Sequence, residues 1–104
     1  MIYRLGELFC GPGGIAWGAM NADIGIPDFR IVHQWANDYD ADTCNTYRHN
    51  ICPDAPETVY HEDIRKFDMS HLAPIDALAF GFPCNGRRAE RYERCLWTAL
   101  FLRC

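Results

Sequence analysis

Short apolar runs alternate along this chain with breaks rich in Gly, Pro, Asn and Asp, and the alternation sets the expected elements. Residues 3–9 read as a first strand. Gly11-Pro12-Gly13-Gly14 is a turn, and Ile15-Ala16-Trp17-Gly18-Ala19-Met20 continues as a short helix that ends near residues 21–25. Residues 26–30, with Pro27, form a connector. Residues 31–37, β-branched at their start, predict a second strand. Residues 40–50 are expected to be helical, with Asp40 as the N-cap. Pro53 and Pro56 bracket a loop, and Thr58-Val59-Tyr60 is a short third strand ending near Glu62-Asp63-Ile64. Ser70-His71-Leu72 lies in a brief turn or helix, and residues 75–80 are the fourth strand. The order β-α-β-α-β-(α)-β predicts an α/β fold with a parallel sheet and right-handed crossovers.

The pattern changes after residue 85. Residues 86–104 show no strand alternation and hold Arg87, Arg88, Arg91, Arg94 and Arg103, half of the chain's ten Lys and Arg. Leu96, Trp97, Leu100 and Phe101 could share one face of a short helix. The expected division is therefore residues 1–85 as one folded unit and 86–104 as a divergent tail.

Composition narrows the class. With 104 residues the chain has room for one small core, and 49% hydrophobic residues make it globular. A net charge of −4 argues against a free-standing grip on nucleic acid, which relies on neutralising phosphates. Six cysteines, at 10, 44, 52, 84, 95 and 104, include no Cys-x-x-Cys pair and no His at ligand spacing, so no metal is expected. Free thiols, a start without a signal peptide's apolar core and no run of membrane-spanning length together lead to the expectation of a cytoplasmic protein with no membrane contact.

Four candidate groups then fall at the carboxyl ends of successive expected strands, the edge where open α/β sheets bind ligands. The first is the loop Phe9-Cys10-Gly11-Pro12-Gly13-Gly14, whose glycines would let a ligand approach the backbone closely. A plain tight turn would read the same way. Pro12 lacks a backbone donor, so the loop suits a ligand without phosphates at that point. The second is Asp38, 24 residues after Gly14, where two carboxylate oxygens match the vicinal hydroxyls of a ribose; Tyr39 beside it could stack on an adenine. Helix capping is the alternative for Asp38. The third is Glu62-Asp63-Ile64-Arg65, where a carboxylate could accept from an exocyclic amine or simply be solvated. The fourth is Cys84 in Gly81-Phe82-Pro83-Cys84-Asn85, a thiol held beside a rigid proline; a buried apolar cysteine is the alternative.

At these residues the chain resembles the cytosine-5 DNA methyltransferase family. Residues 7–14 resemble its first motif, and Asn37-Asp38-Tyr39-Asp40, with Thr46-Tyr47 and Asn50 following, its second. Asp63-Ile64 resembles the third, and Gly81-Phe82-Pro83-Cys84-Asn85 the nucleophile motif. The resemblance covers residues 3 to about 85 in order and spacing, and implies part of a Rossmann-like methyltransferase fold that binds S-adenosyl-L-methionine and acts on DNA. It implies that Phe9, Cys10, Gly11, Gly13 and Gly14 line the cofactor pocket, that Asp38 holds the ribose and Tyr39 packs on the adenine. Asp63 and Ile64 would hold the amine edge, Pro83 would also line the cofactor pocket and shape the substrate loop with Asn85, and Cys84 would be the nucleophile. Thiolate addition at cytosine C6 activates C5 for methylation; loss of the C5 proton and expulsion of the thiol restore the ring. The base would be flipped out of the duplex to reach the thiol.

Two departures matter. Asn85 stands where the family usually has Gln. The family's further residues, among them a Glu for cytosine N3, a target-recognition domain and a last segment completing the cofactor pocket, do not follow. Read one nucleotide later, permissible codons for residues 91–104 encode Gly-Met-Asn-Gly-Val-Tyr-Gly-Pro-Leu-Tyr-Ser-Tyr-Gly, which resembles a family continuation. The tail is therefore expected to be a frameshifted end, the alternative being a helix that docks on a complementary methyltransferase subunit. The chain alone is expected to be inactive. A tRNA cytosine-5 methyltransferase, which shares the Pro-Cys arrangement, and a non-catalytic remnant remain competing readings.

Overall fold

The computed structural model describes residues 1–81. Four parallel strands, β1 (Ile2–Leu8), β2 (Arg30–Asp38), β3 (Val59–His61) and β4 (Ala77–Phe80), form one sheet in the order β3-β2-β1-β4. Helix α1 (Gly14–Met20) joins β1 to β2, and α2 (Ala41–Asn50) leads from β2 toward β3. This is the expected α/β architecture, with strand boundaries within one or two residues of those read from the sequence. The predicted N-cap is in place: Asp40 is extended, and its carboxylate accepts from the Thr43 amide. Short 3-10 turns occupy Pro56–Thr58 and Met69–His71.

The sheet packs on both faces, as a parallel sheet must. Leu5, Cys10, Ala16, Ala36, Cys44, Tyr47, Ile51, Cys52 and Val59 form the core on the helical side. Leu8, Trp35, Ile64 and Phe67 form a second core on the opposite side, supported by Phe9, Ile75 and Leu78. There the covering layer is the segment after β3, tied to the sheet by Trp35 Nε1, which donates to the Ala73 carbonyl at 3.1 Å.

Two local features depart from simple alternation. Between Leu5 and Gly6 the β1–β2 register slips: Leu5 lies opposite His33, but Gly6 lies opposite Trp35. Gln34 is thus the extra residue of a bulge, and the slip lets His33 and Ala36 face the same layer although three residues apart. Gly6 is required by close approach, since a Cβ there would lie 2.7 Å from the Trp35 ring and 2.9 Å from Ile75. β4 starts two residues later than expected. Asp76 instead braces the amino end of β1: its carboxylate accepts from the Arg4 amide at 2.9 Å and from Nε at 3.0 Å.

Candidate functional site

Parallel register places the strand ends level. Leu8 pairs with Asn37 on one side and Phe80 on the other, and Asn37 pairs with Tyr60. The chain runs β1-β2-β3 toward one edge and then returns to place β4 on the other side of β1. The sheet therefore reverses direction beside β1, where α/β sheets open a crevice at their carboxyl ends.

The glycine loop occupies this position. Phe9 has φ 54°, Gly11 φ 59° and Gly13 φ 106°, so the chain makes its turn in left-handed conformations. A Cβ on Gly11 or Gly14 would meet nothing within 4 Å. Open space therefore lies beside this backbone, into which a ligand can come close. Gly13 faces the other way, where a Cβ would be 2.8 Å from Ile51 and 3.2 Å from Tyr47.

Asp38 ties this loop to the end of β2. Its Oδ2 accepts from the Gly11 amide at 2.9 Å and its Oδ1 from the Asp40 amide at 2.9 Å. It is therefore a brace between two loops; the helix cap is Asp40, as expected. The two amides hold the carboxylate in place, and each oxygen keeps acceptor capacity. Tyr39 follows and is 63% exposed. Its backbone is pinned by His61, whose Nε2–H donates to the Tyr39 carbonyl at 2.8 Å.

Beyond β3, Asp63 is paired with Arg65 at 2.5 Å. The guanidinium hydrogen bonds hold its carboxyl down at about 2, so it is ionised at any physiological pH. Ile64 is buried in the second core, against which the partly buried Phe9 also packs. Cys10 lies in the helical-side core, 6% exposed, and burial pushes its thiol far above the usual range. Its amide donates to the Asn37 carbonyl at 3.1 Å. Pro83, Cys84 and Asn85 lie outside the described residues.

The structure thus sets Gly11, Asp38, Tyr39 and Asp63 at or just beyond the level carboxyl ends of β1, β2 and β3, with Phe9 and Ile64 in the core behind them. A cleft of about 420 Å³ adjoins the same loop from its helical side, lined by Pro12, Gly13, Gly14, Trp17, Thr46, Asn50 and Ile51. None of Asp38, Tyr39 or Asp63 lines it, so the cleft and the carboxylate rim meet only at the glycine loop. Among the described residues no cluster of three His, Cys, Asp or Glu could hold a metal ion, and no helix is long and apolar enough to cross a membrane.

Comparison with known proteins gives the family. Residues 3–87 match the family model described as C-5 cytosine-specific DNA methylase. The chain belongs to that family. It is 50% identical over 93 residues to the Type II methyltransferase M.BbvI of Brevibacillus brevis, covering 82% of this chain and 25% of the relative. It is 38% identical over 85 residues to the Type II methyltransferase M.PspPI of Psychrobacter sp. (strain TA137), covering 80% of this chain and 18% of the relative. The chain therefore spans about a quarter or less of the length of these two relatives. No solved structure matches it.

Family membership and the sheet edge leave two residues that the sequence reading passed over as working groups. Asn37, 2% exposed, donates from Nδ2 to the carbonyls of Tyr60 at 2.8 Å and Glu62 at 3.0 Å. It fixes the turn that carries Asp63. A polar residue directly after the apolar pair Trp35-Ala36 was the available signal. Glu7 is 1% exposed, and burial raises its carboxyl to about 7. Its signal was an acid two residues after the inward-facing Leu5, where strand alternation demands an inward side chain.

Proposed function

We propose that this chain carries the cofactor-binding and nucleophile half of a DNA cytosine-5 methyltransferase. The observation that supports it best is the Gly11–Asp38 hydrogen bond at the sheet's reversal point, which locks the glycine loop to a rim carboxylate inside the stretch that matches the family. The ligand the rim suits is S-adenosyl-L-methionine. Gly11 and Gly14 leave room beside the backbone, and Pro12 offers no amide to a phosphate. The Asp38 oxygens accept from ribose hydroxyls, the exposed Tyr39 ring covers one adenine face, and Asp63 with Ile64 meets the amine edge. When bound, the cofactor supplies the methyl group.

The remaining chemistry belongs to residues 81–85. Cys84, as thiolate, adds to C6 of a flipped cytosine and makes C5 nucleophilic; after methylation the C5 proton leaves, the C6–S bond breaks and the thiolate returns. Pro83 and Asn85 shape the loop around the base. DNA is the substrate, and reduced thiols fit a cytoplasmic setting.

The unit is residues 1–85. Residues 86–104 are a frameshifted end, a reading supported by the family match stopping at residue 87. The chain alone is inactive, or active only with a complementary subunit. Titration calorimetry with S-adenosyl-L-methionine tests the rim: binding is expected, and Asp38→Ala or Tyr39→Ala should weaken it at least tenfold. A 5-fluorocytosine or 5-azacytosine oligonucleotide tests the nucleophile when residues 1–85 are joined to the remainder of the M.BbvI relative. A covalent adduct is expected for the wild type and absent for Cys84→Ser. An adduct surviving that substitution removes Cys84 from the mechanism. Sequencing the gene tests the tail, since a downstream frame without the family's further motifs excludes the frameshift.

A further inference from the structure

The glycine loop has a back as well as an open side. A Cβ on Gly13 would lie 3.2 Å from the Tyr47 ring and 2.8 Å from Ile51, so the loop rests on two side chains one turn apart at the end of α2. Gly13 has φ 106° and its carbonyl accepts from the Trp17 amide at 2.8 Å, so its position also sets the start of α1. Ile51 belongs to the apolar core. Tyr47 is fully buried and carries a hydroxyl, which needs a partner there.

His33 supplies that partner. Its Nδ1 stands 3.0 Å from the Tyr47 hydroxyl, and the two rings are tilted by 58° with centroids 5.4 Å apart. The other nitrogen, Nε2, is 2.7 Å from Thr58 Oγ1. The Thr58 hydroxyl has a single hydrogen to give. The Ala55 carbonyl takes it at 2.7 Å, while Cys52 Sγ is farther away at 3.9 Å. Thr58 Oγ1 therefore accepts from His33 Nε2–H, which leaves Nδ1 bare on a neutral ring to accept from the Tyr47 O–H. Burial favours that neutral ring, lowering the imidazole to about 4. The contacts run unbroken from the backbone before β3, through His33 on β2, to the Tyr47 ring beneath Gly13. The Gln34 bulge is what turns His33 into this line.

We propose that His33 is a positioning residue for the glycine loop: through Tyr47 it holds Gly13, and with it the open backbone of Gly11 and Gly14, in the conformation that takes the cofactor. The role rests on the reading of this loop as the S-adenosyl-L-methionine site. His33 itself acts from behind, through Tyr47, and not on the ligand. Without its tether the Tyr47 ring tilts, Gly13 loses its backing and fewer molecules hold the competent loop, so apparent affinity falls by the same fraction. His33→Gln keeps one acceptor and one donor and so can keep both bonds.

The test uses the full 104-residue chain. Proton–nitrogen spectra without cofactor report the amides of Gly11, Gly13 and Gly14 and the tautomer of His33, and calorimetry reports binding of S-adenosyl-L-methionine. His33→Phe and Tyr47→Phe should each displace the loop signals and weaken binding about tenfold. The double variant should do no worse than either alone, and His33→Gln should restore most of the affinity. Neutral His33 should carry its proton on Nε2. Tyr47→Phe, which removes a single oxygen, carries the test should His33→Phe not fold. Loop signals unmoved by Tyr47→Phe overturn the proposal. An Nδ1–H tautomer, additive losses in the double variant, or displaced signals with unchanged affinity also overturn it. If the wild type binds no cofactor, the reading of the rim fails, and the loop signals still decide whether His33 positions the loop.

Discussion

Glu7 and His33 push stability in opposite directions as pH changes. Glu7 titrates near 4.5 in the unfolded chain and about 7 in the fold, so the native state holds the extra proton between those values. Stability therefore falls as pH rises through that window, by about 3 kcal/mol in all. His33 titrates near 6.5 unfolded and about 4 folded, so the unfolded state holds the extra proton and stability falls as pH drops from 6.5 to 4. Between about 4.5 and 6.5 the two slopes cancel. Urea midpoints of the wild type should be nearly flat there, whereas Glu7→Gln should lose about 2–3 kcal/mol on acidification across it. A flat profile in both proteins would contradict the assignment. Asp63, held at about 2, contributes only below this window, where stability present above 3.8 is lost as it protonates. Asn37 gives a second test at this scale. Asn37→Ala strips donors from two carbonyls and should cost about 1–3 kcal/mol, read as a lower urea midpoint with an unchanged m value.

At the level of elements, most of the fold was legible in the sequence. Gly and Pro punctuation separated four apolar runs, and Asp40 announced α2. Four things were not legible, each because it depends on what lies across the sheet. The β4 start shifted because Asp76 is claimed by Arg4, a pairing 72 residues apart. The Gln34 bulge leaves no mark in a period-2 pattern, yet it decides that His33 faces Tyr47. Glu7 reads as an ordinary motif residue, and only its burial in the assembled sheet raises its carboxyl. Gly6 belongs here too, because the approach of the Trp35 ring to β1 is a property of two strands together. Gly6→Ala puts a methyl group 2.7 Å from that ring and must push β1 away from Trp35 or Ile75. The expected loss is about 1–3 kcal/mol, with a lowered midpoint in thermal unfolding. Gly11→Ala has open space and strains only its left-handed φ of 59°, at a cost of about 1 kcal/mol. Equal losses at the two glycines would show that crowding at Gly6 is not what the position controls.

For the whole molecule, the question is what an α/β sheet with a built rim but a quarter of its relatives' length can do. The rim needs only β1, β2, β3 and their loops, which brace one another through Gly11–Asp38, Cys10–Asn37, Glu62–Asp38 and Asn37–Tyr60 contacts. These are local to residues 1–64, so cofactor binding should survive in this chain. Base flipping and methyl transfer need surfaces that hold DNA, and a chain with net charge −4 has no surplus of cations for that. Binding and turnover should therefore separate. The 104-residue chain is expected to bind S-adenosyl-L-methionine with no detectable transfer of labelled methyl groups to DNA. A protein translated through residue 85 and continued in the next frame is expected to transfer them, and to stop when Cys84 becomes Ser. Robust turnover by the short chain would mean that a strand rim and one thiol suffice. Failure of the continued chain, with cofactor still bound, would exclude the next frame as the source of turnover.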